Sequence, residues 1–198
     1  MSHDAPPLPL GERVGVRGTY EAKKRILCLS GSLRAVSANT ALLRACRALA
    51  PPTLELTLFE RMGELPLFNP DLDLEPLPPV VSALREAVGA SDAIVIACPE
   101  YAHGVPGPFK NLLDWLVSSL EFPDKPVAQW NASGRGSQHA QDALREVLIT
   151  MSAHLLDEAA AAFPLPGAGC AVDTLLGDAA HVERMRIALT RLERALQA

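Results

Sequence analysis

Two stretches of the chain concentrate the residue types that can do chemistry. The first is Ser30-Gly31-Ser32-Leu33-Arg34-Ala35-Val36-Ser37-Ala38-Asn39-Thr40. Ser32, Ser37, Asn39 and Thr40 are short polar side chains, and Arg34 adds a planar guanidinium fork matched to phosphate oxygens. Gly31 lets a ligand or another backbone come close. If the stretch opens a helix, unpaired N–H groups and a partial positive charge add ~0.3–1 kcal/mol for an exposed anion. Neither GxxxxGK[ST] nor GxGxxG occurs here, which speaks against an NTPase and against the Rossmann way of holding a resident dinucleotide. A monophosphate held by side chains and a helix N-terminus fits better. The same residues also suit an ordinary capped helix start, with Ser37 or Asn39 as the N-cap. The second stretch runs from Pro99 through Glu100, Tyr101, Ala102, His103 and Gly104 to Trp115. Gly104, Pro106, Gly107 and Pro108 stiffen it, so Tyr101 and His103 ride on a rigid turn.

The elements around these stretches are readable from periodicity. Arg25–Ser30 and Ala93–Cys98 are short apolar runs with the length and branching of buried strands. Leu54–Phe59 alternates with period 2, and Val127–Trp130 is a further strand. Helices are expected from Leu42, Ala45, Cys46 and Leu49; from Pro79 to Gly89; over about 106–120, with Phe109, Leu112, Leu113, Leu116, Val117 and Leu120 on one stripe; over about 137–152; and over about 179–196. A weak fifth strand falls near His154–Leu156, and 159–178, rich in Ala, Gly and Pro, is expected to be mostly loop. Residues 1–24 lack any period and carry close-set prolines and glycines, which suggests a mobile extension preceding a single domain over 25–198.

Composition excludes several classes. The chain has 198 residues, 48% hydrophobic and 21% charged, with a formal net charge of −5. That is an ordinary globular balance with no basic cluster for nucleic acid or anionic lipid. No apolar run approaches the roughly 20 residues that span a bilayer, and the N-terminal stretch does not have the layout of a signal peptide. Cys28, Cys46, Cys98 and Cys170 are widely spaced, as buried reduced thiols of a cytoplasmic protein would be. A disulfide framework or metal site is not expected.

Strand and helix alternate, so an α/β parallel sheet covered on both faces is expected. Five strands joined by right-handed crossovers favour a three-layer flavodoxin-like sandwich with order 2-1-3-4-5. In that order the first and third strands are neighbours whose connections leave in opposite directions, and ligands bind outside their carboxyl ends. The two motif-bearing loops follow those strands, on either side of one crevice.

Three blocks together resemble the NADPH-dependent FMN reductase family: Gly31-Ser32-Leu33-Arg34-x-x-Ser37-x-Asn39; Leu65-Pro66-Leu67-Phe68-Asn69-Pro70-Asp71; and Pro99-Glu100-Tyr101 through Pro106-Gly107-x-x-Lys110-Asn111-x-x-Asp114-Trp115. The resemblance covers about 25–196 and implies the same flavodoxin-like fold. It implies that Ser32, Arg34, Ser37, Asn39 and Thr40 hold the FMN phosphate. Pro99, Glu100, Tyr101, Ala102, His103 and Gly104 would border the isoalloxazine ring, largely through backbone groups. A third loop, Ser133-Gly134-Arg135-Gly136-Ser137, would close the other side. Many members carry Asn where Ala102 stands, so Ala102 offers only backbone atoms there. Plainer roles exist for several residues: packing for Tyr101, a loop or interface position for His103, helix orientation for Lys110, Asn111 and Asp114, core or dimer packing for Trp115, and a solvated charge or a nicotinamide-cofactor phosphate contact for Arg135.

The resemblance implies an oxidoreductase in which bound FMN takes a hydride from NADH or NADPH and passes electrons to a small-molecule acceptor: a quinone, free flavin, azo compound or metal oxyanion. The flavin carries that chemistry, and no side-chain acid, base or nucleophile is required. Two other readings stand beside it, a flavodoxin-like electron carrier and a flavin-free interaction protein on the same fold. The resemblance also implies a homodimer or homotetramer, joined through 60–78 and 106–120.

Overall fold

A computed structural model of the chain describes residues 22–166 and 170–197. The extension expected over 1–24 falls almost wholly outside the described residues. The elements run β1 Lys24–Ser30, α1 Ala38–Leu49, β2 Leu54–Leu58, α2 Pro79–Ala90, β3 Ala93–Ala97, α3 Gly107–Asp114, β4 Pro126–Ser133, α4 Gln138–Thr150, β5 His154–Leu155, β6 Ala161–Leu165, α5 Val172–Gly177 and α6 Ala179–Ala195. All strand pairs are parallel, in the order β2-β1-β3-β4-β5 with β6 also on β4. This is the flavodoxin-like order expected from the alternation of elements.

The sheet is buried on both faces, and its period-2 side chains split into two cores. Ile26, Cys28, Ala93, Val95, Ala97 and Ala128 face α1, α5 and α6. Leu27, Leu29, Ile94, Ile96 and Val127 face α2, α3 and α4. Every residue of β3 is buried, and each fully buried aliphatic side chain is worth about 1.5–3 kcal/mol.

The fifth strand position is shared by two short strands. β5 pairs with Pro126 and Val127; a 3₁₀ turn at Asp157–Ala159 interrupts the edge; β6 then pairs with Trp130, Asn131 and Ser133. Trp130 Nε1–H donates to Ala159 O at 3.0 Å and fixes the interruption. The segment 159–178, expected to be mostly loop, therefore holds β6 and α5. Ala161-Ala162-Phe163-Pro164-Leu165 has no β-branched residue, and Pro164 lacks an N–H, which a strand on the sheet edge tolerates.

Helix α3 is shorter than its apolar stripe suggested. It ends at Asp114, and Val117 and Leu120 are exposed. The Arg85 guanidinium takes the Trp115 carbonyl through Nε at 3.1 Å and Nη2 at 2.8 Å. That carbonyl is then committed away from the helical ladder, and the chain continues in i→i+3 bonds such as Leu116 N–H to Leu113 O. Arg85 also pairs with Asp73 at 2.8 Å, tying the loop before α2 to the end of α3. Asn111 holds the same loop from α3, donating to Pro66 O at 2.9 Å and accepting from Phe68 N–H at 2.7 Å. Trp115 is fully buried, donates to Pro66 O at 2.8 Å and meets Phe68 edge-on at 5.1 Å.

The Arg85 and Asp73 side chains are only 15% and 11% exposed, whereas Arg44 and Glu60 are 44% and 58% exposed. Arg85→Ala takes the charge partner from a largely buried carboxylate and leaves the Trp115 carbonyl without its donor, and is expected to lower stability by about 2–4 kcal/mol. Arg44→Ala is expected to cost less than about 1 kcal/mol. Urea unfolding of the two variants checks the contrast.

Candidate functional site

The carboxyl ends of β1, β3 and β4 open onto a cleft of about 630 Å³. Three loops form its walls. From the loop after β1 come Ser32, Arg34, Ser37 and Asn39; from the exit of β3, Pro99, Glu100 and Tyr101; from the end of β4, Ser133, Gly134 and Arg135. Ala38, Ala132, Ser137, Leu165 and Pro166 complete the lining. The last two were hidden from the sequence because β6 was. Gly134 lies close under them, since a Cβ there would sit 3.1 Å from Leu165 O.

The first wall is a helix start. Ser37 has extended backbone and its Oγ accepts from Thr40 N–H at 3.4 Å, so it is the N-cap of α1. Asn39 is 8% exposed, and its Oδ1 has no hydrogen-bond partner among the described residues. A buried acceptor without a partner on a cleft wall is an open valence for a ligand donor such as a hydroxyl. Arg34 makes no ion pair among the described residues, so its fork is free for an anion. Thr40 is different. Its hydroxyl bonds Ser30 Oγ at 2.8 Å and borders a smaller neighbouring cavity of about 190 Å³, not the cleft.

The second wall is a strained turn. Tyr101 and Gly104 exchange N–H···O bonds of 3.1 and 3.0 Å. Between them Ala102 and His103 have φ of 49° and 57°. Two central residues with positive φ mark a type I′ turn, which favours Asn and Gly. An L-residue other than these gives up roughly 1–2 kcal/mol in that conformation. Ala102, His103 and Gly104 lie beyond Tyr101 and do not line the cleft. Asn would occupy position 102 of such a turn more readily than Ala.

The third wall leads directly into α4. Gly136 has φ 95°, Ser137 has φ 54° and provides no side-chain cap. The cap comes from across the cleft: Glu100 Oε2 accepts from Ala140 N–H at 3.0 Å. Asn131 braces the loop by donating to Gly136 O and accepting from Ser133 N–H. His139, on the first turn of α4, stacks on His103 with ring centroids 4.4 Å apart and planes 13° apart. No sequence pattern marks that pairing, because the two imidazoles sit far apart in the chain on different elements.

No thiol nucleophile is present in the cleft. Burial pushes the Cys98 and Cys28 thiols up to about 12 and raises Cys46 further. Among the described residues no group of His, Cys, Asp and Glu is placed to hold a metal ion, and no helix is long and apolar enough to cross a membrane. The cleft offers hydrogen-bond donors, two guanidiniums and rigid backbone: equipment for binding and orienting an anionic, polar ligand.

Comparison with known proteins agrees with that equipment. The sequence profile of the NADPH-dependent FMN reductase family matches residues 24–165. An NAD(P)H-dependent FMN reductase of Pseudomonas aeruginosa is 38% identical over 138 residues, which are 68% of this chain and 74% of the relative. A quinone reductase of Escherichia coli is 33% identical over 144 residues, 69% of this chain and 75% of the relative. Among solved structures, the flavoenzyme NAD(P)H:(acceptor) oxidoreductase of Paracoccus denitrificans superposes with a TM-score of 0.70 at 26% identity, covering 87% of this chain and 98% of its own.

Ala102→Asn is expected to raise stability by about 0.5–1 kcal/mol, since Asn occupies the left-handed region more readily than Ala. Thermal unfolding should show a midpoint higher by a few degrees.

Proposed function

The chain belongs to the NADPH-dependent FMN reductase family, and from that premise we propose that this oxidoreductase oxidises NAD(P)H and reduces a quinone-type acceptor in the cleft just described. The residues present fit FMN. The cleft falls within the ~300–1,000 Å³ of small-molecule sites, with Ser32, Arg34, Ser37 and Asn39 on one wall and Pro99, Glu100, Tyr101, Ser133, Gly134 and Arg135 on the others. The observation that carries this reading is the Arg34 guanidinium, without an ion pair among the described residues, beside Ser32 and Ser37 at the start of α1, with the buried Asn39 Oδ1 left as an acceptor for a ligand hydroxyl.

Bound FMN supplies the hydride acceptance and onward electron delivery. The protein's own residues bind and orient. Arg34 forks onto the phosphate, while Ser32, Ser37 and Asn39 give it or the ribityl chain short hydrogen bonds, backed by the positive end of α1. Thr40 acts one step back, holding the strand-to-helix turn through Ser30. Pro99, Glu100 and Tyr101, with Ser133, Gly134 and Arg135, would hold the ring. Ala102, His103 and Gly104 shape the turn that presents Tyr101. Arg135 makes no ion pair among the described residues, and we assign it to a phosphate of the nicotinamide cofactor. Free flavin, azo compounds and metal oxyanions are acceptors of the same reducing site. Four free, buried thiols suit a reducing compartment, so we place the protein in the cytoplasm.

The protein mixed with FMN should turn yellow and bleach on anaerobic addition of NADH or NADPH, with the colour returning on addition of a benzoquinone. Failure to take up FMN would overturn the cofactor assignment. Arg34→Ala should weaken FMN binding about tenfold or more; unchanged affinity would overturn its role at the phosphate.

We also propose that the chain is a homodimer, or a pair of dimers. Leu67, Leu72 and Leu74 are exposed on the loop before α2, and Val117 and Leu120 after α3. The two segments are joined, since Arg85 and Asp73 both bond the Ser118 hydroxyl. Light scattering should return a multiple of 21.1 kDa, reduced to the monomer by Leu67→Glu with Leu120→Glu; a monomeric wild-type chain would overturn the proposal.

A further inference from the structure

Three consecutive residues of α4 grip the chain leaving β3. Gln141 Nε2 donates to Cys98 O at 3.5 Å, Ala140 N–H donates to Glu100 Oε2 at 3.0 Å, and the His139 ring stacks on His103 at 4.4 Å. The first two hold the base of the turn; only the third reaches its tip. The tip is where the strain lies, at Ala102 and His103. The reciprocal bonds between Tyr101 and Gly104 close the turn on itself but do not orient it against the rest of the molecule. A strained conformation persists where its surroundings over-determine it, and for this tip the surrounding group is His139.

The same residue links the elements that carry two of the cleft walls. The loop 133–137 runs directly into α4, so the wall carrying Ser133, Gly134 and Arg135 continues in the chain to His139. The opposite wall carries Glu100 and Tyr101 and ends in His103. We propose that His139 is a positioning residue: stacked on His103, it holds the Tyr101–Gly104 turn in its left-handed form and so orients the Tyr101 end of the wall, whose base the Glu100–Ala140 bond already ties to α4, against the flavin ring. The latch rests on the FMN reading only in what it positions; the stack and the strained turn are properties of the chain itself.

The latch works through a flat ring rather than through imidazole chemistry, so the replacement ring decides the test. FMN affinity is measured by quenching of flavin fluorescence for the full chain and its variants. His139→Ala should weaken binding about three- to tenfold, the range that loss of one aromatic stack implies. His139→Phe should restore it to within about twofold. Ala102→Gly added to His139→Ala should also recover affinity, because glycine adopts positive φ without restraint. His103→Ala with His139→Ala should bind no worse than His139→Ala alone. Unchanged affinity in His139→Ala, or no recovery in His139→Phe, would overturn the latch.

If the wild-type chain took up no FMN, the cofactor reading would fail and the latch would be read in the free protein. There the Tyr101 and Gly104 amides should exchange hydrogen at least about threefold faster in His139→Ala and at the wild-type rate in His139→Phe. Equal exchange in all three would overturn it.

Discussion

The cleft depends on how closely the exits of β1 and β3 approach one another. Ser30 and Ala97 are register partners, and the next residue, Gly31, donates its N–H to Ala97 O at 2.9 Å. A Cβ on Gly31 would lie 2.7 Å from Cys98 Sγ, 3.0 Å from Cys98 Cα and 3.1 Å from Pro99 Cδ. No side chain larger than hydrogen lets both strands end at this level. Because they do, the start of α1 and the Pro99–Gly104 turn begin side by side and diverge. The Ser32–Asn39 wall and the Tyr101 wall are then two sides of one opening, as the switch-point geometry of such sheets requires.

Around that contact the structure is stiffened by side chains that tie one element to another. Glu100 caps α4 because Ser137, in left-handed backbone, does not. Asn111 and Trp115 hold the loop before α2, and Arg85 ends α3 by taking the Trp115 carbonyl. Polar groups at helix ends are thus satisfied by residues of other elements, which couples loops that a locally capped helix would leave independent. A site whose reactive atoms belong to a bound cofactor needs this arrangement more than it needs an acid or a base. With buried thiols held protonated and a carboxylate committed to a helix end, the protein contributes geometry and fixed dipoles.

Much of this was legible in residue pattern, and the exceptions have physical causes. Continuous short apolar runs such as Ala93–Cys98 were legible because a strand buried on both faces must be apolar throughout. The helix start at Ser37–Thr40 was legible because capping has a local code. Thr40 could not be separated from its neighbours by spacing, since one turn of helix decides whether a hydroxyl faces the cleft or Ser30. β6 was hidden because its Ala-Ala-Phe-Pro-Leu sequence has weak strand propensity and is held by pairing to β4. The end of α3 was hidden because its apolar period runs on through Val117 and Leu120 while a distant arginine stops the ladder. The strain at Ala102 and the His103–His139 stack are tertiary, and no local period reports either.

The family match ends at Leu165, on the wall of the cleft, yet the chain beyond it still bears on the site. Leu175 of α5 and Met185, Leu189 and Leu192 of α6 share one core with Leu42, Ala45 and Cys46 of α1. Asp178 caps α6 by accepting from Ala180 and His181 N–H, which holds its carboxyl below the usual range and keeps the helix start charged and anchored. These helices press α1 against Ile26, Cys28 and Val95 of the sheet. The direction of α1 decides where its first turn points, and that turn carries Ser37 and Asn39. A segment that, among the described residues, contributes none to the Ser32–Asn39 wall therefore fixes the aim of that wall, because a close-packed core transmits position from its far face to its near one.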